Sequence, residues 1–187
     1  MSSPVRIGVI GERRASAEML AAAEEVGREI ARRGGVVVCG GMEGVMEAAS
    51  RGAARAGGTV VGILPGSSAA SGNACVTIPI VTGMGEGRNI IIARTAEALI
   101  AIGGAYGTLS EIAHALNLGV PVIGLRTWEL HRPGEQTDPI RRAATPLQAV
   151  QWAWAAAEAR RVAARDAAPR ERAEGARQVQ IEGRDEA

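Results

Sequence analysis

Gly103-Gly104-Ala105-Tyr106-Gly107-Thr108-Leu109-Ser110-Glu111 follows the apolar run Ala98–Ile102 and leads into a segment with helical periodicity. A strand, a glycine-rich turn and a helix in that order make an anion site. Glycines let a ligand approach the backbone and permit positive φ, while the first free N–H groups of the helix point into the turn. A phosphate fits there. Glu111 falls one helical turn beyond Thr108, where its carboxylate would repel phosphate unless it serves another part of the ligand. The same residues also fit a capping box, Thr108-x-x-Glu111, in which the two side chains satisfy backbone N–H groups at the helix start. The flanking glycines, and a second turn of the same kind upstream, favour a ligand site over the cap alone.

That second turn is Gly40-Gly41-Met42-Glu43-Gly44, between the apolar run Val36–Cys39 and a helical segment reaching about Arg55. Strand-like and helix-like stretches alternate on either side of it. Strands are expected at 5–10, Val36–Cys39, Thr59–Leu64, 75–80, Ala98–Ile102 and 120–125. Helices are expected at 16–33, from the second turn to 55, from the 83–87 turn to 96, and at 108–118. A last helix opens at Thr145-Pro146, a cap followed by proline at the first helical position, and runs to about residue 165. Repeated βα units with near-continuous apolar strands predict a single-domain α/β fold, a doubly wound Rossmann-like parallel sheet with helices on both faces. Ligands in such sheets bind beyond the carboxyl ends of the strands, so both glycine turns are expected at one pocket. Residues 1–165 form the expected ligand-binding domain. Residues 166–187, rich in Arg, Glu and Ala, read as a charged tail, either a helical extension or disordered.

Composition narrows the chemistry. The chain has 187 residues and no phenylalanine, so the core must come from Val, Ile, Leu and Ala. All 21 basic residues are arginine. Without lysine, neither an internal Schiff base to pyridoxal phosphate nor a lysine-dependent P-loop can form. A net charge of +1 and few aromatics give no footprint for nucleic acid or an anionic membrane. Cys39 and Cys75 read as reduced thiols, and His114 and His131 lack partners at metal-ligand spacing, so no metal site is expected. There is neither a leader pattern nor a run of membrane-spanning length, which predicts a cytoplasmic protein.

Two further signatures carry a family resemblance. Gly40-Gly41-Met42-Glu43-Gly44-Val45-Met46 and Ala56-Gly57-Gly58-Thr59-Val60-Val61-Gly62-Ile63-Leu64-Pro65 resemble the G-G-x-x-G-h-M and G-G-x-V-x-G-I-h-P motifs of the LOG-like Rossmann superfamily. That group includes nucleoside 5′-monophosphate phosphoribohydrolases that activate cytokinins, proteins once labelled lysine decarboxylases, and molybdenum cofactor carrier proteins. The similarity runs over about 5–125. The superfamily pattern P-G-G-x-G-T-x-x-E falls on 103–111, keeping Gly104, Gly107, Thr108 and Glu111 but replacing the proline by Gly103 and the second glycine by Ala105. The pattern M-H-x-R-K falls on 84–89, with Met84 and Arg88 kept, the histidine lost and the lysine replaced by Asn89. Arg94 matches a further arginine of the group.

The resemblance implies catalytic roles for Glu111 and Arg88. It implies cofactor-binding or ligand-binding roles for Gly40, Gly41, Gly44, Arg88, Gly103, Gly104, Gly107 and Thr108. With a lysine missing beside Arg88, the chain looks closer to the carrier and uncharacterised branch than to the hydrolases. The leading expectation is a homodimeric binding protein for a small phosphorylated, ring-containing ligand, either an AMP-like nucleotide or the molybdenum cofactor, with no cofactor required for chemistry. The alternative is a phosphoribohydrolase that cleaves the N-glycosidic bond of a nucleoside 5′-monophosphate; the decarboxylase label fails for want of lysine. An Arg88–Glu111 salt bridge with a purely structural role stands as the competing reading of those two residues.

Overall fold

In the computed structural model, residues 3–131, 133–134 and 137–182 are described, with 167–182 described by backbone alone. The described residues hold seven strands and five α-helices. They are β1 (Arg6–Gly11), α1 (Ala17–Arg32), β2 (Val36–Cys39), α2 (Val45–Arg55), β3 (Thr59–Leu64), β4 (Ile78–Val81), α3 (Asn89–Thr95), β5 (Ala98–Ile102), α4 (Tyr106–Asn117), β6 (Val122–Leu125), β7 (Arg141–Arg142) and α5 (Pro146–Glu182). All the strands pair in parallel in the order β4-β3-β2-β1-β5-β6-β7. The chain therefore winds outward from β1 to β4, returns to β5 beside β1, and winds outward the other way. The switch point lies between the carboxyl ends of β1 and β5, the place where open α/β sheets bind ligands.

Contacts divide the chain into a unit of residues 1–157 and a unit of residues 158–187. The first holds the sheet. Because strand side chains alternate between faces, Ile7, Val9, Val37, Cys39, Val60, Ile100 and Ile102 pack under α1, α2 and the first turns of α5. Ile10, Val38, Ile63, Leu99 and Ala101 pack under α3 and α4 on the other face. Each fully buried aliphatic side chain contributes about 2 kcal/mol, so a core without phenylalanine suffices. The second unit is helical through Glu182.

Local signals explain most boundaries. The Ser16 hydroxyl accepts from Met19 N at the start of α1, and Thr145 Oγ1 accepts from Gln148 N at the start of α5. α1 and α2 cross closely because Gly27 and Gly52 meet backbone: an added Cβ would lie 2.0 Å from Ala49 O and 1.9 Å from Glu24 O respectively. Two differences from the sequence reading stand out. β4 runs over Ile78–Val81 rather than 75–80, and all four of its residues are exposed on the sheet edge. β7 is a two-residue arginine strand with no apolar run to announce it. Cys39 and Cys75 are both free thiols, the first fully buried.

Candidate functional site

A cavity of about 430 Å³ opens at the switch point, and every loop that follows β1, β3, β4 and β5 reaches it. The end of β1 gives Gly11, the β1–α1 loop gives Glu12, Arg13 and Arg14, and Pro65 follows β3. Gly85, Glu86, Arg88 and Asn89 come from the segment after β4, Met46 from α2, and Ala105, Gly107, Thr108 and Glu111 from the start of α4. The volume lies at the lower end of what small-ligand pockets occupy.

The turn into α4 has the geometry of an anion cradle. Gly103 and Gly104 both take positive φ, +57° and +138°, which turns the chain sharply from β5 into the helix. The helix begins at Tyr106, two residues earlier than expected, with Ala105 as a cap that has no side-chain acceptor. Thr108 is thus the third helical residue and Glu111 lies in the second turn, so the two do not form the capping box. The first helical bond runs from Leu109 N to Ala105 O, 3.1 Å. Ahead of it, the N–H groups of Tyr106, Gly107 and Thr108 are the free donors of the helix end. Trp128 Nε1 donates to Ala105 O at 3.3 Å. Arg142 anchors that tryptophan's segment by donating to the carbonyls of Thr127 and Trp128 while pairing with Asp138.

Four polar residues are buried against this cavity: Arg88, Asn89, Thr108 and Glu111. Arg88 is only 6% exposed, and Nη1 donates to Ile63 O while Nε is a buried donor with no hydrogen-bond partner. Buried polar groups are almost always satisfied, so this donor marks a place for a ligand or water atom. Burial pushes the Glu111 carboxyl up to about 7, opposed by the positive charge of Arg88. Burial likewise pulls Arg88 down, opposed by Glu111. The two sense each other across the cavity, but among the described residues no ion pair within 4.0 Å joins them.

The expected site residues separate into two groups. Arg88, Gly107, Thr108 and Glu111 line the cavity together. Gly40, Gly41, Gly44, Gly103 and Gly104 stand behind it and touch protein instead. Gly40 abuts the Arg88 guanidinium, and Gly41 packs on Leu64 and Gly62. Gly44, at φ +70°, packs on the Glu12 and Arg13 carbonyls. Gly103 sits against Met19 and Glu12. Arg94 lies exposed in the last turn of α3. The sequence reading missed Glu12, Arg13 and Arg14, which look like any polar loop. Their position after the first strand of a doubly wound sheet is the signal that finds them.

Residues 4–151 match the model of the SLOG cluster4 family. The chain belongs to that family. An uncharacterized protein of Archaeoglobus fulgidus is 42% identical over 148 residues, 79% of this chain and 93% of its own. The solved structure of the molybdenum cofactor binding protein from Rippkaea orientalis is 35% identical and superposes with a TM-score of 0.74, covering 81% of this chain and 96% of that one. The cytokinin riboside 5′-monophosphate phosphoribohydrolase LOG of Oryza sativa subsp. japonica is 36% identical over 99 residues, 51% of this chain but only 40% of that enzyme. This SLOG chain thus spans nearly the whole of the cofactor-binding relative and less than half of the hydrolase. Among the described residues no helix is long and apolar enough to cross a membrane.

Proposed function

We propose that this SLOG protein binds a phosphorylated, ring-containing ligand, a nucleotide or a molybdopterin-type cofactor, in the cavity at the β1/β5 switch point. One observation carries the reading: Arg88, Asn89, Thr108 and Glu111, all buried and polar, converge on one cavity at the N-terminus of α4. The buried Arg88 Nε, without a hydrogen-bond partner, costs free energy, and a ligand atom that accepts from it recovers that cost. Phosphate oxygens would take the free N–H groups of α4, the Thr108 hydroxyl and the Arg88 guanidinium. Glu12, Glu86 and Glu111 would accept from ring N–H or hydroxyl groups. The R. orientalis relative, named for binding the molybdenum cofactor and matched along nearly its full length, supports this reading.

Hydrolysis of a nucleoside 5′-monophosphate is the second reading, and a specific observation favours it. A carboxyl held at about 7 can give or take a proton near neutral pH. Glu111 would then activate water or stabilise an oxocarbenium-like sugar, with Arg88 positioning the phosphate. Asn89, where the similar enzymes carry lysine, is a neutral residue in the cavity and favours binding without efficient turnover. Incubation with AMP followed by chromatography for free adenine separates the two: the binding reading predicts no adenine above background.

We propose, as a separate reading, a cytoplasmic homodimer without nucleic-acid or membrane partners. Support for the dimer is the exposure of Ile78, Ile80 and Val81 on the edge strand β4 and of Met84 just beyond it. Sedimentation equilibrium at micromolar concentration tests it, and a monomer would count against it.

A further inference from the structure

We propose that Arg13 is the second phosphate-binding cation of this cavity, so that the ligand's phosphate is held between Arg13 on the β1–α1 loop and Arg88, over the first turn of α4. The inference rests on the phosphorylated-ligand reading and adds to it which side chain grips the phosphate.

Beside Arg88 stands Asn89, a neutral side chain buried at the cavity wall. A dianionic phosphate facing one buried guanidinium would be under-compensated, the more so with Glu12, Glu86 and Glu111 on the same lining. Arg13 faces that lining from the opposite loop. Its backbone is fixed there: Gly44 packs so closely that an added Cβ would stand 2.3 Å from Arg13 O and 2.4 Å from Glu12 O. Burial is the main cause that lowers Arg88, and the charge of Arg13 on the same lining adds a smaller lowering. Among the described residues neither enters an ion pair. Two guanidinium groups that line one cavity and enter no ion pair are stabilised by an anion placed between them. Arginine suits the task because its planar fork meets phosphate oxygens in pairs. The second cation is thereby supplied from another loop across the switch point, and the bound group is a phosphomonoester rather than a neutral nucleoside.

The test is titration of inorganic phosphate and of AMP against wild type, Arg13→Gln and Arg55→Gln, followed by ³¹P line broadening. Arg13 is exposed, so its substitution leaves the fold intact. Arg55, exposed at the far end of α2, is the charge control. Expected is at least a tenfold weakening of both probes in Arg13→Gln, with Arg55→Gln matching wild type. AMP binding far more tightly than phosphate shows that the nucleoside part is recognised as well; the Arg13 effect holds whether or not it is. Wild-type binding that Arg13→Gln leaves unchanged overturns the role of Arg13 while the phosphorylated-ligand reading stands. Wild type that binds neither probe overturns that reading and the role of Arg13 with it.

Discussion

A Cβ added to Gly40 would stand 2.4 Å from Arg88 Nη1 and 2.5 Å from Nη2, so the buried guanidinium occupies space that only glycine leaves open at the end of β2. The second glycine turn therefore acts on the site through Arg88. Met46 Sδ, 2.6 Å from the same point, closes the other escape.

Gly40→Ala is accordingly expected to displace Arg88 and break its bond to the Ile63 carbonyl. Overpacking of this kind costs about 1–3 kcal/mol, readable as a lower urea midpoint. Ligand affinity should fall with it. An alanine variant with wild-type stability and affinity would show that Arg88 does not depend on this glycine.

Gly107→Val should do the reverse. Gly107 lines the cavity from inside α4, takes no positive φ, and an added Cβ meets nothing within 4 Å. The valine side chain would enter ligand space without straining the helix, changing stability by less than about 1 kcal/mol. Calorimetry should show binding lost in a folded protein. Retained affinity would remove this turn from the site.

Gly52→Ala probes the scaffold. With the added Cβ 1.9 Å from Glu24 O, the α1–α2 crossing must open, at a cost of about 2 kcal/mol or more. Thermal denaturation checks this, and an unchanged midpoint would contradict the close-packed crossing.

Glu111 makes stability depend on pH in a defined direction. Its folded pKa, about 7, lies above the ordinary value of 4.5. Below about pH 4.5 both folded and unfolded chains hold the proton. Between 4.5 and 7 only the folded chain keeps it, so this group's contribution falls as pH rises, by about 3 kcal/mol across the window. Above 7 both are ionised and the loss is complete. Glu111→Gln removes the titration, so the variant should gain on wild type between pH 5 and pH 8 in chemical denaturation. Parallel pH profiles would show that Glu111 is not held neutral by burial.

The parts of the fold readable from the chain are those where burial acts on both faces. Val36–Cys39, Thr59–Leu64 and Ala98–Ile102 are strands to the residue, because a central parallel strand must be apolar throughout. Edge strands lack that pressure, which is why β4 shifted and the Arg141–Arg142 strand gave no signal. In the candidate site, Arg88, Thr108 and Glu111, singled out by resemblance to the superfamily motifs, line one cavity. The start of α4 was not legible, since Ala105 caps it without a polar side chain. Arg13 was not, since its role comes from strand order, which brings the β1 loop opposite α4, and not from local sequence.

Native mass spectrometry of the freshly purified protein tests the central claim most directly. The account predicts that wild type carries a small ligand that releases phosphate fragments on activation, or takes up AMP or inorganic phosphate when purified empty, and that Gly107→Val does neither. Wild-type protein that arrives empty and binds neither phosphate nor AMP would contradict it.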